Sequence, residues 1–256
     1  MRILFVKSMI VYFQFFTRIV IPVEIDDFLY YLKHGSKFLP VFGLLLGLIE
    51  GMVFLLGSFF FTRLLGFILM LFSDVLLTGA MHQDGLADAS DGLFSSRKAE
   101  RMLAIMKDSR IGTMGTIALI FYYLFVMGIF LSYPDVFTQK SGFIIIVLMN
   151  MVAKSNMTLL FYQMNYQGAS SNGLGQTWAG TPASDILIAQ VISLLVLFVS
   201  NGLKGLLIYF IGIAFIGLYR HFVYKKVSGF NGDTLGASAL ISNVLFLVAS
   251  CVVRSF

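Results

Sequence analysis

Seven stretches of this chain, residues 39–61, 64–80, 111–133, 143–163, 186–200, 203–221 and 235–253, are almost wholly apolar and nearly free of charge. Such runs cannot leave backbone groups unsatisfied in lipid, so they must be helices or strands of a closed barrel. About 20 apolar residues span the hydrocarbon as a helix, whereas a barrel strand needs only about 10. The lengths therefore predict helices, with the fifth run extended back toward Pro182. Only 12% of residues are charged, against about 25% in a soluble domain. Mean hydropathy is +0.89 and 58% of residues are hydrophobic, which excludes a soluble globular enzyme. The expected fold class is all-α: a polytopic integral membrane helical bundle of about seven transmembrane helices plus an N-terminal interfacial helix.

Residues 1–21, apolar with scattered Arg2, Lys7 and Arg18, form that interfacial helix. The polar lead-in to residue 37 follows Pro22. No small-residue cleavage site follows the first apolar run, so a removable signal peptide is not expected. With no Pro/Ser-rich linker, 1–256 reads as a single membrane-embedded domain. Cys251 is the only cysteine, so no intrachain disulfide can form.

Lys and Arg set the orientation. Thirteen fall on the N-terminal side of the expected spans. Four (Arg63, Lys140, Lys204 and Arg254) fall on the other, and Lys154 inside a span completes the 18. The positive-inside rule then puts the N-terminus in the cytoplasm. It also puts loops 81–110, 164–185 and 222–234 on that face of the cell membrane. Within 81–110, residues 95–110 suggest a short amphipathic helix capped by Ser95 or Ser96.

The polar residues concentrate where the second span ends. In L-T-G-A-M-H-Q-D-G-L-A-D-A-S-D-G (77–92), Asp84, Asp88 and Asp91 are four and three residues apart, hence on one helical face. Three carboxylates so close repel one another and tend to hold their protons. A hard divalent cation relieves that repulsion; a solvated helix end is the plainer alternative. His82 beside them could act as general base, as metal ligand or as an orienting group.

Two further segments suit phosphate. In K-D-S-R-I-G-T-M-G (107–115), Lys107 and Arg110 supply cations, and amides around Gly112 and Gly115 open a helix N-terminus. The alternative is a basic membrane anchor. In G-F-N-G-D-T-L-G-A (229–237), Asp233 and Thr234 either cap a helix or approach a diphosphate or metal. Glu50, Asp74 and Lys154 lie inside expected spans, where ionisable groups are costly and so functional by default. Asp74 can reach the aspartate site from a turn or two deeper, and Glu50 and Lys154 can pair.

The strings T-G-A-M-H-Q-D-G-L-A-D-A-S-D-G-L (78–93), M-K-D-S-R-I-G-T-M-G (106–115) and G-D-T-L-G-A (232–237) closely resemble the cobalamin synthase family of adenosylcobinamide-GDP ribazoletransferases. F-T-R-I-V-I-P (16–22) and G-L-G (173–175) fit the same pattern in the same order. The resemblance implies a Mg²⁺-dependent enzyme that joins adenosylcobinamide-GDP to α-ribazole or its 5′-phosphate and releases GMP. Asp84, Asp88 and Asp91 would hold the metal, and His82 or one of these carboxylates would accept the hydroxyl proton. Lys107, Asp108, Arg110, Gly112, Asp233 and Thr234 would line the phosphate site. Expected partners are these substrates and the lipid bilayer, not nucleic acid; a homo-oligomer is left open. Three positions depart from the family pattern: Asn243 stands for a glutamate, Ser170–Ser171–Asn172 precede G-L-G in place of arginine, and Lys154 stands near an expected arginine.

Two alternatives compete. The D-G-x-x-x-x-x-D layout loosely resembles CDP-alcohol phosphotransferases, but their A-R pair after D-G is replaced here by Ala87–Asp88. A cation-coupled transporter would use Glu50, Asp74 and Lys154 as its path. It would call for paired broken helices or an internal repeat, and neither is evident in the sequence.

Overall fold

The computed structural model describes residues 2–168 and 173–253; Ser170, Ser171, Asn172 and Arg254 lie outside the described residues. Ten helices follow one another among them: α1 (Arg2–Phe16), α2 (Phe28–His34), α3 (Leu39–Phe60), α4 (Arg63–Thr78), α5 (Met81–Leu93), α6 (Ala99–Ile105), α7 (Thr113–Ser132), α8 (Gln139–Phe161), α9 (Ala183–Val227) and α10 (Gly232–Val252). The described residues contain no strand, only an isolated bridge between Tyr166 and Phe230. The protein is a polytopic helical membrane protein. Five helices are long and apolar enough to cross a membrane, and a sixth span results if α4 and α5 are taken together.

All seven expected runs are helical. The fifth and sixth are the two arms of α9, which breaks at Asn201 and at Gly202, where φ is +55°. The Tyr209 hydroxyl hydrogen-bonds Gln190 Oε1 at 3.2 Å. Nineteen residues along an unbroken helix would lie about 28 Å apart, so the chain doubles back at the break. α4 has only 16 residues, about 24 Å of helix. It ends on two successive left-handed residues, Gly79 (φ +64°) and Ala80 (φ +61°), and α5 leaves at 86° to it. The α4–α5 corner is thus built by backbone, and it turns the polar helix α5 nearly perpendicular to α4.

Small residues let the long helices touch. Gly43 and Gly47 of α3 face the α8 backbone so closely that a Cβ would lie 2.5 Å from Asn150 O and 2.8 Å from Val147 Cα, respectively. Without a hydrophobic drive between helices in lipid, such close van der Waals approach is what holds them. The same device joins α5 to α10: a Cβ on Gly85 would stand 2.9 Å from Asp233 O and 3.1 Å from Gly236 Cα. This contact brings the start of α10 beside the aspartates of α5.

The expected amphipathic helix over 95–110 is shorter than its sequence suggested, only Ala99–Ile105, with Lys98 at its start and no side-chain cap. Ser95 instead donates its hydroxyl to Gly92 O at 2.7 Å, finishing α5, and Ser96 sits at φ +55° in the turn. The Met106 side chain then packs onto Gly92, where a Cβ would be 2.6 Å from Met106 Cγ.

Candidate active site

Where α5, the 106–111 loop and the start of α10 meet lies a cavity of about 540 Å³. Asp84, Asp88 and Asp233 line it together with Lys107, Asp108 and Ser109. Lys107 Nζ lies 3.3 Å from Asp233 Oδ2, its side chain 45% exposed. One half-exposed ammonium does not balance three carboxylates. Burial and the charges of Asp84 and Asp233 push the Asp88 carboxyl up to about 7, against the smaller opposing pull of Lys107.

Asp233 enters this group because it is released from capping. The N-cap of α10 is Asn231, whose side chain accepts from Thr234 N while Thr234 Oγ1 accepts from Asn231 N, each at 2.9 Å. This reciprocal capping box satisfies two helix-end donors. Thr234 is fully buried in it and does not face the cavity, contrary to its expected phosphate role. Asn231 also donates to Asp233 Oδ2 at 3.1 Å, steadying that carboxylate.

Asp91 goes elsewhere. Its carboxylate accepts from Gly112 N at 2.7 Å and Gly115 N at 2.8 Å, capping the N-terminus of α7. The amides expected to bind phosphate are therefore engaged within the protein, and the expected Asp84–Asp88–Asp91 trio is not what gathers at the cavity. Asp91 shares Asp84's side of the helix but lies two turns, about 10 Å, farther along it, where the α7 amides take up its carboxylate, while Asp88 stays near Asp233. Among the described residues no three His, Cys, Asp or Glu side chains form a ready-made metal cage.

Arg110 is also diverted. Its guanidinium forks onto Asp108 at 3.0 and 2.7 Å with the side chain 86% exposed. These bonds hold the Asp108 carboxyl down at about 2. Lys107, not Arg110, is the cation on the cavity wall.

His82 is buried, with Nε2 2.6 Å from Lys154 Nζ. A lysine ammonium can only donate, so Nε2 is occupied, and His82 is oriented by Lys154 rather than free to act as a base there. Lys154 turns to His82 instead of Glu50. Glu50 accepts from Asn150 Nδ2 at 2.7 Å and Asp74 from Gln83 Nε2 at 2.7 Å. Asp74 thus reaches α5 through an amide. Asn231, Gln83 and Gly236 were not legible in advance as parts of this site. Their only signal was membership of the quoted strings, Gln83 in 77–92 and Asn231 and Gly236 in 229–237.

A helical membrane bundle with its carboxylates and a lysine collected in a cavity at one end has the layout of a membrane-embedded enzyme. The sequence model of the cobalamin-5-phosphate synthase family matches residues 8–251, and the chain belongs to that family of transferases in cobalamin synthesis. Adenosylcobinamide-GDP ribazoletransferase of Listeria monocytogenes serotype 4b is 45% identical over 241 residues, 94% of this chain and 96% of that one. The enzyme of that name from Clostridium novyi is 38% identical over 244 residues, covering 95% and 96%. That from Clostridium botulinum (strain Langeland) is 35% identical over 242 residues, covering 92% and 93%. No solved structure matches the chain.

Proposed function

We propose that this enzyme joins adenosylcobinamide-GDP to α-ribazole, or to its 5′-phosphate, in a Mg²⁺-dependent reaction that releases GMP. The observation that carries this reading is the group Asp84, Asp88 and Asp233 lining one cavity, with Lys107 paired to Asp233 on its wall. In the transfer, a ribose hydroxyl oxygen bonds to the diphosphate phosphorus attached to cobinamide, and the bond from that phosphorus to the GMP oxygen breaks. The hydroxyl proton passes to a carboxylate. Lys107 binds the diphosphate, and Asn231 holds Asp233 in place.

The donor set fits Mg²⁺. It is all oxygen, carries excess negative charge and is open, and Mg²⁺ ordinarily keeps several waters and binds through one or two carboxylates plus substrate phosphates. One or two of Asp84, Asp88 and Asp233 would hold it, with the substrate phosphates supplying further oxygens. When bound it would neutralise charge on the diphosphate and the departing GMP.

The site faces the cytoplasm of a cell membrane in this reading. Support comes from the Lys/Arg asymmetry and from contacts that bring loops 81–110, 164–185 and 222–234 to one end, such as Lys107 with Asp233 and Gln167 N with Phe230 O. Detergent-purified protein given adenosylcobinamide-GDP, α-ribazole 5′-phosphate and Mg²⁺ should release GMP in proportion to cobamide formed. Intact donor after prolonged incubation with either acceptor form would refute the proposal.

A further inference from the structure

Behind the wall formed by Asp84 and Asp233 lies a second, smaller cavity of about 160 Å³. The two cavities share these two carboxylates and differ in everything else. Phe15, Phe16, Trp178, Met81, Met157 and Leu235 supply its sides, and glycines at 175, 232 and 236 leave space where side chains would otherwise close it. Its rings pack on one another: Phe16 and Trp178 lie 18° apart at 5.9 Å, Phe16 and His82 13° apart at 6.1 Å, and Phe15 stands edge-on to both Phe16 and Trp178. The volume is close to the ~150 Å³ of an apolar cavity that binds benzene and well below the ~300–1,000 Å³ of a site for a whole drug-sized ligand.

We propose that this slot receives the aromatic base of the acceptor, the benzimidazole of an α-ribazole. This rests on the transferase reading above and adds the acceptor's place to it. A corrin is far too large for the slot. Guanine carries more donors and acceptors than a benzimidazole, and apart from Asp84 and Asp233 at the shared wall and His82, whose Nε2 is already taken by Lys154, the slot's sides are apolar. A benzimidazole is flat and largely apolar, and it gains from burial against aromatic edges and apolar side chains. With its base in the slot, an acceptor places its ribose at the Asp84–Asp233 wall. That is where a hydroxyl must meet phosphorus held in the larger cavity.

The chain's only tryptophan, Trp178, reports directly on occupancy. α-Ribazole titrated into detergent-purified full-length protein, without donor, should quench Trp178 fluorescence saturably, whereas GDP should not. A Cβ at Gly232 meets no atom within 4 Å, so Gly232→Leu can fold while filling the slot. It should weaken α-ribazole binding and raise the acceptor KM by about tenfold or more, on the scale of one lost base–aromatic contact, and leave the KM for adenosylcobinamide-GDP unchanged. Gly232→Ala should have a smaller effect in the same direction. Quenching by GDP instead of α-ribazole would overturn the assignment in favour of guanine. GMP release by wild type without α-ribazole quenching, or an unchanged acceptor KM in a folded Gly232→Leu protein, would overturn the slot while leaving the transfer reaction intact. Quenching by α-ribazole without any GMP release would overturn the transfer reaction and leave the slot.

Discussion

Lys154 Nζ of α8 lies 2.6 Å from His82 Nε2 of α5, with both side chains buried and the ammonium 4.9 Å over the Phe16 ring. A cation in a membrane bundle is thereby held by an imidazole and an aromatic face, and in turn it fixes the ring at the rim of the active-site helix. Lys154→Met should leave His82 with an unmet acceptor and lower stability by about 1–3 kcal/mol. The double variant Lys154→Met/His82→Leu should recover part of that loss, since removing both partners leaves nothing unpaired. Thermal unfolding in detergent checks this; strictly additive losses would show that the two side chains act independently.

Asp91 and Asp88 lie three residues apart and should behave differently. Asp91→Asn weakens the acceptor for Gly112 N and Gly115 N, so stability should fall by about 2 kcal/mol, in the range for charge-assisted hydrogen bonds. The Mg²⁺ concentration giving half-maximal GMP release should stay as in the wild type. A large rise in that concentration, with stability intact, would return Asp91 to the metal site.

Asp88 carries a pH signature. Its folded value is raised from 3.8 to about 7, so between these values the folded protein holds a proton that the unfolded chain has lost. Stability of the metal-free protein should therefore fall as pH rises through this window, the reverse of a salt-bridged carboxylate. Asp88→Asn should flatten that slope. A metal-free melting temperature independent of pH across the window would contradict the crowding of Asp84, Asp88 and Asp233.

The two basic residues of the 107–115 segment separate in the same way. Lys107→Ala should raise the KM for adenosylcobinamide-GDP more than that for the ribazole, because Lys107 stands on the cavity wall. Arg110→Ala should change both little, because its guanidinium is spent on Asp108 at the exposed surface. Steady-state kinetics with each substrate varied in turn decide it, and equal losses in the two variants would contradict the assignment.

Much of this was legible in the sequence because lipid leaves the backbone few choices. Seven apolar runs became seven helical legs, and the start of α9 at Ala183, just after Pro182, follows from proline's place before a first turn. The site was half legible. Asp84 and Asp88 stand where their four-residue spacing puts them, but spacing along one helix cannot say what lies opposite. Gly85 meeting Gly236 brings in Asp233, and the α7 amides draw off Asp91. Both are contacts between residues distant in sequence. Likewise the Asn231–Thr234 capping box decides that of the polar residues Asn231, Asp233 and Thr234 only Asp233 is released from the helix end. The α4–α5 corner escaped notice because one of its two left-handed residues is an alanine, a residue that gives no turn signal.

The Mg²⁺ dependence of GMP release by Asp233→Asn bears most directly on the central claim that Asp84, Asp88 and Asp233 act together at one cation-dependent site. The substitution keeps the size of the side chain and removes one charge. Half-maximal activity should require about tenfold more Mg²⁺ or beyond, with a lowered maximal rate, while the protein elutes and melts as the wild type does. Wild-type turnover with an unchanged Mg²⁺ requirement would contradict it.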